Sequence, residues 1–366
     1  MYKFAVMTLH YNGRGEYCNK TKSGGFIGRA AAAYRAWKAD RRIKIAATIH
    51  HLDRHRELGY ILEIPGFILR WNTLSLSKRK KRLFRFIQLI KESGIQFMCV
   101  PFFHDLIPAE VVEHLENQLL LSNGSNIRII TMIQCLRHLM GILKNQLSGI
   151  EAGVWCADTD MGRLLAMELV PFLNFIILGG RSTDKLFRLS DEIMNETGLA
   201  CPVTTDLKEC LKDRQLVILT HECDIRLLKN ALIVVYAGPL NLDFIEEIRK
   251  YRGPFWILSG WTELPEEIKA DKQLSFWETA GVLESVLYIP ENNLTAMKTL
   301  NVSPLTQLDL IKDLFGETRV KGFVSVDGEV SYDRFRMRYF RKNSRTVSHD
   351  YRKTQRSKKR VLFLDK

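Results

Sequence analysis

The chain has 366 residues, 46% of them hydrophobic and 26% charged, with 23 Gly and 10 Pro. That composition excludes a collagen-like, coiled-coil or globally disordered chain, and the length suffices for two domains with buried cores. The formal net charge of +13 is unevenly placed: between Arg334 and Arg360 twelve Lys or Arg stand against one acid, Asp350, so residues 1–333 are close to neutral.

No stretch approaches the roughly eighteen uncharged apolar residues of a spanning helix. The opening MYKFAVMTLHYNGRGE has too short an apolar run, and no small-residue cleavage site, for a signal peptide. Seven Cys are scattered at 18, 99, 135, 156, 201, 210 and 223 without a CxxC pair. This argues against a disulfide framework and a zinc knuckle, and predicts a cytoplasmic protein.

In chain order, KFAVMTLH reads as a short strand, followed by the polar GRGEYCNKTKSGG and an Ala-rich helix through Arg29–Lys38. IKIAATIH and ELGYILEIP read as two strands of a hairpin joined through HLDRHR. Residues 77–94 carry Leu83, Phe86, Ile87 and Ile90 at helical spacing, and IQFMCVPFF then reads as a strand. A helix is expected over about 126–147. Beyond it, the strands EAGVWCAD, NFIILGG, QLVILT, ALIVVYAG and FWILSG are interleaved with the helical DMGRLLAMELV, KLFRLSDEIMNETG and DLKECLKD. Such alternation predicts a doubly wound parallel sheet. SFWETAGVLESVLY reads as a closing helix, 295–317 as a further helix, and GFVSVDGEVSYDRFRMRYF as a hairpin turning at Asp327-Gly328. Beyond Arg341 apolar periodicity is lost and the chain is expected to be mobile. The expected architecture is thus α/β: an N-terminal α/β substrate-type domain (1–149), a Rossmann-like NAD(P)-binding domain (150–265), a closing helical segment (266–317), and a hairpin with a basic C-terminal extension (318–366).

Ligands on doubly wound sheets lie beyond the carboxyl ends of the strands, where the strand order reverses. The first strand-to-helix turn here is Cys156-Ala157-Asp158-Thr159-Asp160-Met161-Gly162. A dinucleotide turn uses glycines for the tight bend, for close approach of the diphosphate and for helix packing, and of these only Gly162 is present. Asp158 and Asp160 place negative charge where a diphosphate would meet the helix N-terminus. Two readings stay open: a cofactor bound in an adjusted pose, or a Rossmann-type scaffold with a decayed phosphate loop. The second strand ends Gly179-Gly180-Arg181-Ser182-Thr183, and an Arg there suits a 2′-phosphate, so NADP is the cofactor expected if either binds. Its expected contacts are Cys156, Asp158, Thr159, Gly162, Arg181 and Ser182. Thr220-His221-Glu222-Cys223-Asp224 forms the fourth-strand loop, where His221 is suited to move a proton and Cys223 to attack a carbonyl. The competing reading of both is solvated surface.

The order of these pieces over roughly residues 1–290 resembles the long-chain acyl-carrier-protein reductases, a family also grouped as predicted amino-acid dehydrogenases. KFAVMTLH resembles the family's opening strand, and IKIAATIHHLDRHRELGYILEIP its strand–turn–strand before a Pro. The Lys78–Ile95 helix, IRIITMIQCLRHLM, Asp160-Met161-Gly162, Gly180-Arg181-Ser182 and SFWETAGVLES are similar to later family segments in the same order. The resemblance implies an NADPH-dependent enzyme that passes an acyl group through a Cys to release an aldehyde. In the stretch where that Cys stands, this chain has Ser259-Gly260-Trp261-Thr262-Glu263-Leu264 and no Cys. The implied protein is therefore an NAD(P)-linked oxidoreductase relative of altered or absent activity, on a small-molecule or acyl-carrier-bound substrate.

Other signals compete with this reading. Gly24-Gly25-Phe26-Ile27-Gly28-Arg29 looks like a dinucleotide fingerprint but stands too far behind its strand, and is read as a loop. His50, His51, Asp53 and His55 offer ligand types for a transition metal at a hairpin tip, with solvated surface as the alternative. Lys78-Arg79-Lys80-Lys81-Arg82 reads as a solvated helix face, or as a patch for an acidic partner such as an acyl carrier protein. In the tail, Arg334, Arg336, Arg338 and Arg341 alternate with Phe335, Met337, Tyr339 and Phe340, as on one strand face. Residues 334–360 thus support an alternative function: a non-catalytic binding or scaffold protein acting on nucleic acid or another polyanion.

Overall fold

The computed structural model of the chain describes residues 3–8, 11–12, 16–17, 44–52, 56–65, 68, 71–100, 107–144, 149–251, 253–288 and 320–338. The Arg29–Lys38 helix, the Gly24–Arg29 loop, Asp53, His55, the 295–317 helix and the tail beyond Arg338 lie outside the described residues.

The chain begins with β1 (Lys3–Thr8), a short pairing of β2 (Tyr11–Asn12) with β3 (Glu16–Tyr17), and the hairpin β4 (Ile45–His51) and β5 (Arg56–Glu63). Next, α1 (Leu76–Glu92) leads into β6 (Ile95–Cys99), and α2 (Ala109–Glu116) into β7 (Leu120–Ser122). α1 buries Leu83, Phe86 and Ile90, spaced three and four apart, and leaves Lys80, Lys81 and Arg85 in solvent. β5, β1, β6 and β7 are mutually parallel neighbours, and each strand feeds both faces: Phe4 and Val6 enter one apolar cluster, Ala5 and Met7 the other.

From this sheet α3 (Ser125–Leu143) carries the chain to the second one. There β8 (Glu151–Trp155), α4 (Asp160–Leu169), β9 (Phe175–Gly179), α5 (Thr183–Thr197), β10 (Val203–Thr204) and α6 (Leu207–Leu211) follow in turn. β11 (Leu216–Leu219), β12 (Ile233–Tyr236), α7 (Leu242–Lys250) and β13 (Phe255–Ile257) complete it. Every neighbouring pair is parallel, in the order β10-β9-β8-β11-β12-β13. Numbered by position in the chain, that order is 3-2-1-4-5-6, the Rossmann arrangement. The central strands β11 (LVIL) and β12 (IVVY) are buried at every residue, as strands covered on both faces must be.

After β13 the chain leaves the parallel sheet. β14 (Ser259–Thr262) opens a third sheet against α3, and β15 (Ile268–Ala270) returns to the first, pairing antiparallel with β4. α8 (Phe276–Leu287) then packs over β1 and β6, and Tyr288 just beyond it stacks on Phe97 with ring centroids 4.6 Å apart. The first sheet therefore reads β15-β4-β5-β1-β6-β7, while β16 (Val320–Ser325) and β17 (Gly328–Ser331) complete the antiparallel β14-β16-β17. One apolar cluster joins the facing sides of both large sheets through α3 and α8.

The hairpin turns at Asp327-Gly328 as its sequence predicts, with Gly328 at a φ of 105°. The strand does not extend into the arginines: residues 332–338 are helical, which corrects the expected cationic strand face at Arg334, Arg336 and Arg338. The physical reason is Phe335, buried against Phe255 and Phe323 with ring centroids 4.9 Å from each. Tyr332, three residues before it, also packs on Phe323 with ring centroids 5.0 Å apart. That three-residue spacing suits a helical turn, and Arg338 lies 5.9 Å from the centre of the Phe255 ring.

Candidate functional site

The strand order reverses between β8 and β11, so the turns after these two strands define the site. At the end of β8, Cys156 adopts a φ of 63°, the left-handed conformation that glycine usually supplies in this turn. The Ala157 amide donates to the Gly179 carbonyl at 2.8 Å, holding the turn against the end of β9. Thr159 then caps α4: its hydroxyl accepts from the Gly162 amide at 3.2 Å and donates to the Cys156 carbonyl at 2.7 Å. A Cβ on Gly162 would stand 2.0 Å from the Cys156 carbonyl oxygen, so the helix approaches the turn closely only because residue 162 lacks a side chain. The frame of a dinucleotide turn is thus present with one glycine, and a cysteine holds the left-handed bend.

Asp158 does not point along the axis of α4. Its Oδ2 accepts from the backbone amides of Arg181 at 3.0 Å and Ser182 at 2.9 Å, at the start of α5. Close packing of this carboxylate requires Gly180, whose Cβ would lie 2.2 Å from Asp158 Oδ1. Asp158, Arg181 and Ser182 are therefore brought together, but the amides meet a carboxylate of the protein itself. The Arg181 side chain is exposed, as is Asp160 in the first turn of α4.

The loop after β11 divides its residues between two environments. Thr220 is buried and its hydroxyl lies 3.1 Å from His221 Nδ1, with the imidazole itself exposed. Burial pushes the Cys156 thiol up, and a hydrogen bond with Thr220 opposes the shift. Cys223 instead packs against the apolar cluster on the outer face of the sheet, where burial, aided by Asp224 and Glu247, pushes its thiol up to about 12. A thiol held in its neutral form is a poor nucleophile, so these surroundings do not support the attacking role expected of Cys223. Next to it Asp224 pairs with Arg226 at 2.8 Å on the surface.

A cavity of about 590 Å³ opens at the carboxyl ends of β8, β11 and β12. Thr159 and Met161 line it from the first turn, Thr220 and His221 from the second, and Gly238 from the loop after β12. Its far wall is the start of α3, through Ser125 and Arg128, with Trp277 of α8 beside them. Cys156, Asp158, Arg181, Ser182 and Cys223 are not among its lining residues. Among the described residues no group of three or more His, Cys, Asp or Glu could hold a metal ion.

Two charged residues near the start of α3 stand out only in the structure. Arg128 has its guanidinium in the protein interior, where loss of water lowers it to about 10. It donates from Nε to the Leu258 carbonyl at 2.8 Å, and from its two terminal nitrogens to the carbonyls of Gly238 and Tyr236 at 2.6 Å each. The available signal was a lone cation between Asn126-Ile127 and Ile129-Ile130, in a helix with no other charge before Arg137. The second is Glu284 of α8, fully buried at the α3 N-terminus. It accepts from Ser122 Oγ at 2.7 Å, Asn126 Nδ2 at 3.0 Å and the Ile127 amide at 3.0 Å.

No family model and no curated protein sequence matches the chain. Among solved structures, L-tryptophan dehydrogenase from Nostoc punctiforme is similar over 85% of this chain and 79% of its own, at 10% identity and a TM-score of 0.33. Quinate dehydrogenase from Corynebacterium glutamicum in complex with NAD is similar over 64% and 80%, at 10% identity and a TM-score of 0.25. Aspartate transcarbamoylase from Trypanosoma cruzi is similar over 65% and 72%, at 14% identity and a TM-score of 0.25. At these scores the likenesses decide nothing about reaction or substrate; the Rossmann-like assignment rests on the order and direction of the strands.

Proposed function

We propose that the protein is a Rossmann-type oxidoreductase whose cleft takes a nicotinamide dinucleotide and a small-molecule substrate. The observation that carries this reading is the turn after β8, where Cys156 keeps the left-handed bend and Gly162 the close helix approach. The residues fit the group in frame, with two changes of charge. The N-terminus of α4 would face the diphosphate. Asp158, in the turn after β8, extends its carboxylate to the end of β9, where an acid receives ribose hydroxyls, and occupies the Arg181 and Ser182 amides that a 2′-phosphate would use. The reading therefore favours NAD over the NADP expected from Arg181. When bound, the cofactor supplies or accepts a hydride. His221, the imidazole at the cavity, is placed to hold or move a proton on the substrate. Because Cys223 packs on the other face of the sheet, the proposal includes no acyl-thioester step.

Calorimetric titration of the full chain with NADH and then NADPH tests the reading. Saturable NADH binding is expected, with NADPH at least roughly tenfold weaker because its phosphate meets a fixed carboxylate. Absence of saturable binding to demonstrably folded protein would overturn it and turn attention to the polyanion-binding alternative for residues 334–360.

A further inference from the structure

A guanidinium has five N–H groups. Arg128 gives three of them to the carbonyls of Leu258, Gly238 and Tyr236, at the ends of β12 and β13, which leaves two. The three carbonyls come from strand ends of a well-packed sheet, so the cation is fixed in place. It lines the cavity between the two large sheets.

What distinguishes Arg128 is its missing counter-charge. Arg137, Arg163 and Arg214 each meet a glutamate: Glu168, Glu192 and Glu151 respectively. Among the described residues no carboxylate lies within ion-pair distance of Arg128, and its partners are neutral carbonyls and the Tyr236 ring. Glu284, at the same end of α3, directs its oxygens to Ser122, Asn126 and the Ile127 amide. An interior cation held only by dipoles is unfavourable until an anion joins it.

We infer that the cavity takes a small organic carboxylate, received by the two remaining N–H groups of Arg128. One remains on each terminal nitrogen, a donor for each of the two oxygens of a carboxylate. The wall beyond them, with Ile129, Met161, Leu240 and Trp277, favours an apolar body on the acid. The inference rests on the oxidoreductase reading for the cofactor half of the cleft and names the substrate class for the other half.

The test uses ligand pairs that differ only in charge. Wild-type full chain is titrated calorimetrically with propionate, benzoate and 3-phenylpropionate, each against its primary amide, and in a separate run with NADH. At least one acid is expected to bind saturably, with its amide roughly tenfold to a hundredfold weaker. Equal binding of acid and amide, or binding of none of the acids, overturns the inference. In Arg128→Lys, which keeps the charge and loses the planar fork, acid affinity is expected to fall while amide affinity stays constant. Arg128→Met removes donors from three carbonyls and endangers the fold, so the wild-type comparison carries the decision. NADH binding without an acid preference sinks only this inference. Acid preference without NADH binding sinks the cofactor reading and leaves Arg128 as an anion site.

Discussion

Asp158 and Ser182, 24 residues apart, are joined by a 2.9 Å bond from the Ser182 amide to the Asp158 carboxylate. The turn after the first strand of the Rossmann sheet is thereby tied to the N-terminus of the helix after the second. The Ser182 side chain makes no cap hydrogen bond of its own, so Asp158 does this from outside the helix. The tie makes Asp158→Ala destabilising by about 1 kcal/mol, the ordinary cost of a lost helix cap. Urea unfolding checks this. The same variant is expected to narrow the preference for NADH over NADPH, because it frees the two amides; an unchanged ratio would show that the adenosine end lies elsewhere.

Gly162 tolerates no side chain at its present position. Gly162→Ala is expected to destabilise by about 1–3 kcal/mol, since a methyl group 2.0 Å from the Cys156 carbonyl must displace the turn or the helix. Cys156→Gly acts in the opposite sense on the backbone: it relieves a left-handed cysteine worth about 1–2 kcal/mol. It also forfeits the burial of the thiol, so a net change smaller than that of Gly162→Ala is expected by chemical denaturation.

Glu284 is a buried carboxylate that accepts from Ser122, Asn126 and Ile127. Glu284→Ala leaves those donors unmet and is expected to destabilise by about 3 kcal/mol; Glu284→Gln, which keeps acceptor capacity, costs less. Denaturant midpoints compare the two. If Glu284→Gln cost as much as Glu284→Ala, the charge at the α3 N-terminus rather than the hydrogen bonding would be responsible.

Burial raises the thiols of Cys135, Cys156, Cys201, Cys210 and Cys223 above their ordinary value of 9.0, with Cys201 at about 11 and Cys210 and Cys223 at about 12. The sign of the consequence is fixed. Below about pH 8 these thiols are almost wholly neutral in both folded and unfolded chains and impose little pH dependence. From about pH 8 to 12 the unfolded chain loses protons that the folded chain keeps, so stability falls as pH rises. The urea midpoint is expected to decline over that interval, and less steeply in Cys223→Ala. Cys223 is likewise expected to react with iodoacetamide far more slowly at pH 8 than an open thiol does. Rapid alkylation of the native protein at that residue would overturn its placement on the apolar face.

The Rossmann sheet was legible because its strands are covered on both faces. LVIL and IVVY are unbroken apolar runs between polar turns, and a sequence can hardly encode them otherwise. The two switch-point loops followed directly, since each begins where such a run ends. The first sheet's short members were harder. β7 and β15 have three residues each and no period to detect; they exist because β6 and β4 offer open edges to them. α7 was missed although Asn241 caps it and Phe244, Ile245 and Ile248 form its buried face. The Arg334–Arg338 segment alternates like a strand, whereas the packing of Tyr332 and Phe335, three residues apart, on Phe323 fits a helix. At the site, the direction of Asp158 and the interior position of Arg128 depend on partners 23 to 130 residues away. No local pattern carries that information.

The return of β15 to the edge of β4 has a consequence for synthesis on the ribosome. β4 is made early, yet its outer neighbour, residues 268–270, follows the last strand of the Rossmann sheet. The second sheet can close before the first is complete, reversing the usual N-to-C succession of domains. For the time taken to translate about two hundred residues, the nascent chain presents an unpaired strand edge.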